Sequence, residues 1–166
     1  LLGVLGSGLL RGVMIGAIIS LVQLLRRASK PHVALLGRIP GTRRFSDRER
    51  HPENEAIPGV LIFRPESGLI YFNAEHVCDS ILNRTRAEAT SPKLVVLDLS
   101  AAPQVDLQGA QSLAGLAAEL SASKVRLQVV EARSSVRDRL RSEGLEDQVG
   151  GINHFTTVAD AVDHFQ

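Results

Sequence analysis

Residues 95–109, "VVLDLSAAPQVDLQG", decide how the rest of the chain is read. The stretch runs apolar into Asp98, crosses a short loop, and restarts at Asp106 with Leu107-Gln108-Gly109. With Leu94 it makes "LVVLDL", apolar on both faces, which predicts a central strand covered on each side. Beyond Asp106, Ala110, Leu113, Leu116, Ala117 and Leu120 recur at helical spacing, predicting a helix from about Leu107 to Ser121. Asp106 stands where an N-cap belongs, accepting amides of the first turn, a role worth about 1 kcal/mol. Gly109 allows another surface to approach that turn closely. Free amides at a helix start favour an anion, whereas Asp98 and Asp106 repel one. The loop is therefore either a capped structural junction or a site for nucleotide, phosphate or a protein partner, with Ser100, Asp106, Leu107, Gln108 and Gly109 as its candidate residues.

The pattern extends in both directions. "GVLIF" (59–63) and "LIYF" (69–72) flank the turn-forming Pro65-Glu66-Ser67-Gly68 and are expected to pair as a hairpin. Asn73 then sits where an N-cap belongs, before a helix carrying Val77, Ile81, Leu82 and Thr85, with Pro92 beyond its end. Downstream, "VRLQVV" (125–130) predicts a strand, and Ser135 with Asp138 forms a capping-box pattern for a third helix that Gly144 ends. Thr157 and Asp160 open a fourth, with Val158, Val162 and Phe165 on one face. Strands alternating with helices predict an α/β fold, a mixed β-sheet with helices packed against it.

Composition narrows the function. At 166 residues, 44% apolar and 22% charged, the chain supports a packed core. The single cysteine, Cys78, lies within a helical pattern, where a buried structural role is expected. No Cys/His cluster has zinc spacing, so no metal is expected. His32, His51, His76, His154 and His164 have no serine or cysteine motif beside them, and no nucleophile elbow, Walker loop or dinucleotide glycine pattern occurs. No catalytic site and no cofactor are expected.

Charge is strongly partitioned. Residues 26–50 carry eight basic and two acidic side chains, whereas residues 51–166 carry ten and sixteen. The basic run lacks interleaved stacking aromatics, which argues against nucleic acid. It follows "LLGVLGSGLLRGVMIGAIISLVQLL" (1–25), whose one charge is Arg11. As a helix these residues would reach about 37 Å, enough to cross a hydrocarbon core. Basic residues directly after such a span mark its cytoplasmic side, and they can contact anionic lipid headgroups at about 1 kcal/mol each. Gly6, Gly12 and Gly16 suit close helix packing. Arg11 should face protein, water or an anion path, because facing lipid is costly. These residues are expected to be the tail of a longer membrane protein; a single anchor or a helix lying on the membrane surface is the alternative.

The stretches "IPGVLIFRPESGLIYFNAEHV", "KLVVLDLSAAPQVDLQGAQSL" and "VRLQVVEARSSVRDRLRSEGL" together resemble the STAS domain at the cytoplasmic C-terminus of SulP-family anion transporters. "PGVLIFR…LIYFNAE" is the most specific part, and the resemblance covers residues 33–166. It implies the end of the transmembrane region at 1–25 (the last membrane helix), a basic juxtamembrane linker and first strand at 26–57, and a cytoplasmic STAS domain at 58–166. It further implies a secondary transporter of sulfate, bicarbonate or a dicarboxylate in the cell (inner) membrane. The partners it implies are the upstream transmembrane domain of the same chain, a second copy paired through the membrane region, and a regulatory protein or nucleotide. The related free-standing antagonists of anti-sigma factors are phosphorylated on a Ser or Thr following the junction aspartate. Here that run is Asp106-Leu107-Gln108-Gly109, which has no hydroxyl, so phosphorylation there is not expected. A membrane-anchored or free signalling module of the antagonist type, binding a protein partner or nucleotide, is the alternative.

Overall fold

The computed structural model describes residues 2–166, with side chains from Gly8 onward. The chain separates into a first unit ending at Lys30 and a second spanning Pro31–Gln166. The first is one helix, α1 (Leu2–Ser29). Gly8–Ser29 has mean hydropathy 1.9 and is long and apolar enough to cross a membrane. Its large apolar side chains from Leu9 to Leu25 point to all sides; even the most covered, Val22, is 42% exposed. A helix apolar all round suits lipid or a helical bundle, not a water-facing surface. A Cβ added at Gly12 or Gly16 would meet nothing within 4 Å; Gly6 lies outside the described side chains.

The second unit is a five-stranded sheet in the order β2-β1-β3-β4-β5. β1 (Val33–Arg38) pairs antiparallel with β2 (Phe45–Asp47) on one side and with β3 (Val60–Pro65) on the other. β3, β4 (Leu94–Asp98) and β5 (Arg126–Val130) run parallel. The crossovers are α2 (Ala74–Ala87) and α3 (Leu107–Ala122). α4 (Ser134–Ser142) follows β5, and α5 (Val158–Asp163) closes the chain.

Alternation along the strands divides the core into two layers. Leu61, Phe63, Val95, Leu97, Leu127 and Val129 meet α2, α3 and α4, with Val77, Ile81, Leu113, Leu120, Val136 and Leu140 among their partners. Val60, Ile62, Leu94, Val96 and Val130 meet Val158, Ala161 and Val162 of α5, with Phe165 packed alongside. All five residues of β4 are buried, as a strand covered on both faces requires. Both layers are built from residues of the second unit, Val33 onward, so that unit contains its own core.

Three local expectations are corrected. "LIYF" does not form a hairpin with "GVLIF": β1 and β4 already occupy both edges of β3. Leu69 instead makes a parallel bridge to Val105. Asn73 makes no capping bond to α2; its Oδ1 accepts from the Ile70 amide (3.0 Å) and its side-chain amide donates to the Gly68 carbonyl (3.1 Å), tying the preceding loop together. Ser135 and Asp138 form no capping box, because α4 begins at Ser134 with Arg133 as its uncapped boundary. The Thr157–Asp160 capping box is present.

Candidate functional site

The junction between β4 and α3 carries an acid at each end, and each acid is already bonded. Asp98 is 1% exposed; its Oδ2 accepts from Arg64 Nε at 2.8 Å and lies 2.7 Å from an Arg64 terminal nitrogen. Its Oδ1 accepts from the Ser100 amide at 2.8 Å. A buried carboxylate needs such partners to stay charged. Asp106 Oδ1 accepts from the Gly109 amide at 2.7 Å and its Oδ2 from the Tyr71 amide at 2.9 Å. The expected N-cap is therefore present, and it also ties the α3 start to the loop before α2.

Gly109 is the other half of that tie. A Cβ there would lie 2.3 Å from the Leu69 carbonyl oxygen and 3.2 Å from Val105 Cγ1. The surface that approaches this turn is the chain's own backbone. Leu69 is held in place by its amide donating to the Gln104 carbonyl (3.0 Å) and its carbonyl accepting from the Asp106 amide (3.1 Å). Leu107, 50% exposed, faces outward at the start of α3. Gln108 lines a shallow recess with Tyr71, Glu75 and Ser112.

Ser100 lies apart from these four residues. It lines a cavity of about 530 Å³ with Arg43, Arg44, Phe45, Arg64, Asp98, Glu131, Thr157, Val158 and Ala159. This cavity lies at the carboxyl ends of β3, β4 and β5, where open α/β sheets commonly place ligands. Arg43 and Arg44 come from the β1–β2 turn, within the basic run read above as a lipid contact, and Arg64 from β3; no local motif joins these segments to Ser100, so the cavity is not legible in the sequence. Burial pushes the Glu131 carboxyl above its ordinary value, and Asp98 adds to the shift. Glu131 also has a left-handed backbone, φ 57°.

Two other groups bear on chemistry. Burial, with help from Asp79, pushes the Cys78 thiol up to about 12, which leaves it protonated and inert at neutral pH. His32, Asp47 and Glu49 place potential ligand atoms within 4.8 Å of one another. These groups are engaged: Asp47 lies 3.2 Å from His32 and accepts from the Glu49 amide at 2.7 Å, while Glu49 pairs with Arg84 at 2.7 Å. Burial raises the Asp47 carboxyl, but the Glu49 amide and His32 outweigh it and hold the group below the usual carboxylate range. Arg11 lies on α1, exposed and remote in sequence from these groups.

Comparison with known proteins adds a consistent set of relatives. The STAS domain profile matches residues 51–161. High affinity sulfate transporter 2 of Stylosanthes hamata is 28% identical over 96% of this chain and 25% of its own length. A probable sulfate transporter of Mycobacterium tuberculosis is 29% identical over 98% of this chain and 29% of its own length. The chain thus spans between a quarter and a third of the curated relatives it matches. The inward-facing murine Solute Carrier 26 family member A9 anion transporter superposes with a TM-score of 0.78 at 21% identity, covering 93% of this chain and 25% of that one.

Proposed function

The chain belongs to the STAS domain family, and from that premise we propose that it is the membrane exit and cytoplasmic regulatory domain of a SulP-type secondary anion transporter. In this reading residues 1–25 are the last membrane helix, 26–57 the basic juxtamembrane linker and entry strand, whose first basic residues meet lipid headgroups before the chain enters the sheet at Val33, and 58–166 the rest of the cytoplasmic domain. The transmembrane domain of the same chain performs transport, holding sulfate, bicarbonate or a dicarboxylate near the bilayer midplane as such carriers do. The soluble domain docks beneath it, with a second copy paired through the membrane region, and adjusts transport through a protein or nucleotide partner.

One observation carries the reading: an all-round apolar helix ends in Arg26 and Arg27, and a STAS fold begins directly after it. That order supports a fold on the cytoplasmic side, because basic residues flank the cytoplasmic end of a span. The relatives' names favour sulfate among the anions.

The test is uptake by cells expressing the complete gene, with labelled sulfate, bicarbonate and succinate in parallel. Accumulation of one anion, altered in rate when the coding sequence stops after Lys30, supports the assignment. Absence of uptake of all three, with the protein present in the membrane, refutes it.

A further inference from the structure

The cavity at the carboxyl ends of β3, β4 and β5 has no part in that reading, yet its charges are arranged for a ligand. We propose that it is a binding site for a small oxyanion that retains a proton, with hydrogen phosphate as the type, held by Arg44 and Ser100 and selected by Glu131.

Among the three arginines lining the cavity, two are engaged. Arg64 is bonded to buried Asp98, which cancels that charge at the cavity floor. Arg43 bridges Asp160 (3.1 Å) and Asp163 (2.6 Å) of α5. Among the described residues, the Arg44 side chain has no hydrogen-bond or ion-pair partner, although its backbone is fixed. The Arg44 amide donates to Thr42 Oγ1 at 3.1 Å and its carbonyl accepts from the Ile39 amide at 2.9 Å. A planar guanidinium on an anchored turn is a ready donor to an oxyanion.

Ser100 supplies a second donor. Its amide is spent on Asp98, while its hydroxyl makes no hydrogen bond among the described residues and lines the same cavity as Arg44. Glu131 supplies discrimination. It too makes no hydrogen bond or ion pair among the described residues, so an ionised Glu131 repels a fully deprotonated anion but accepts a hydrogen bond from a P–OH group. Sulfate at neutral pH has no proton to offer and meets only the repulsion. Phosphate keeps at least one. Phe45, Val158 and Ala159 complete the lining with apolar surface.

The test uses nitrogen-15-labelled residues 31–166, which contain both core layers, titrated with sodium phosphate and with sodium sulfate at neutral pH and constant ionic strength. Saturable amide shifts at Arg44, Ser100 and Glu131 with phosphate, and weaker response to sulfate, are expected. Arg44→Ala should lower phosphate affinity by about tenfold or more, the usual cost of losing a charged hydrogen bond. Glu131→Gln should bring the two anions to comparable affinity, and Ser100→Ala should weaken phosphate binding less than Arg44→Ala does. All three positions are exposed, and a dispersed spectrum confirms each fold. Absence of saturable shifts at tens of millimolar phosphate, an equal response of the wild type to both anions, or unchanged binding in Arg44→Ala would overturn the proposal.

Discussion

Replacing Gly109 by Ala puts a methyl group where the structure has a carbonyl. The added carbon would lie 2.3 Å from the Leu69 oxygen, 2.9 Å from the Leu69 carbonyl carbon and 3.2 Å from Val105 Cγ1. Relief to ordinary van der Waals separation requires a shift of about 1 Å. The obstacle is backbone, pinned by the Gln104–Leu69 and Leu69–Asp106 hydrogen bonds, so no flexible side chain can swing away. Overpacking of this kind costs about 1–3 kcal/mol, and separating Asp106 from Leu69 adds about 1 kcal/mol. Against this stands a gain of at most about 1 kcal/mol from exchanging Gly for Ala in a helix. A net loss of about 1–3 kcal/mol follows even with the full helix-propensity gain. Gly115, on the same helix, is the internal control: a Cβ there meets nothing within 4 Å, so Gly115→Ala should stabilise by about 0.5–1 kcal/mol. Urea unfolding of residues 31–166, followed by circular dichroism, reads both as opposite displacements of the midpoint at constant slope. If Gly109→Ala were as stable as the wild type, the close approach of α3 to the Leu69 backbone would be refuted.

Asp106→Ala should destabilise by about 2–3 kcal/mol, because the cap and the bond to the Tyr71 amide are lost together; Asp106→Asn, which keeps an acceptor, should lose less in the same urea assay. Cys78 should react with a thiol reagent at pH 8 about a thousandfold more slowly in the native protein than in denaturant, since a thiol pushed up to about 12 supplies almost no thiolate; equal rates would show that it is not buried. Asp160 is held below the ordinary carboxylate range, chiefly by the Thr157 hydroxyl and then by the Thr157 amide and Arg43. A lowered folded-state value gives stability that is fully present above the unfolded carboxylate value of about 4 and is lost as pH falls below it. The difference in unfolding free energy between wild type and Asp160→Asn should therefore shrink on acidification; a difference that grows instead would contradict the Thr157 contacts.

What could be seen in the sequence depended on how far each signal reaches along the chain. β4 was legible because a strand buried on both faces needs an unbroken apolar run, and Leu94–Leu97 supplies one. The Thr157–Asp160 cap was legible because donor and acceptor stand three residues apart. "LIYF" has the same local composition as a strand, but its partner depended on which neighbours had already filled β3. Those were β1 and β4, one arriving from each side of the sequence. β2 escaped detection because three residues of Phe45–Asp47 inside a charged, Pro- and Gly-punctuated stretch carry too little periodicity to stand out. The acids of the opening stretch show the same limit at the site. Asp106 could be assigned a cap from its position, yet its second bond goes to Tyr71, thirty-five residues earlier. Asp98 repels an anion when its own segment is read alone, whereas Arg64, thirty-four residues away, pairs with it in the fold. The cavity beside Ser100 is assembled from five separate segments, so nothing short of the fold could bring Arg44 and Glu131 to one place. Local patterns therefore reported what each residue does for its own turn, and the electrostatics of the cavity emerged only from contacts distant in sequence.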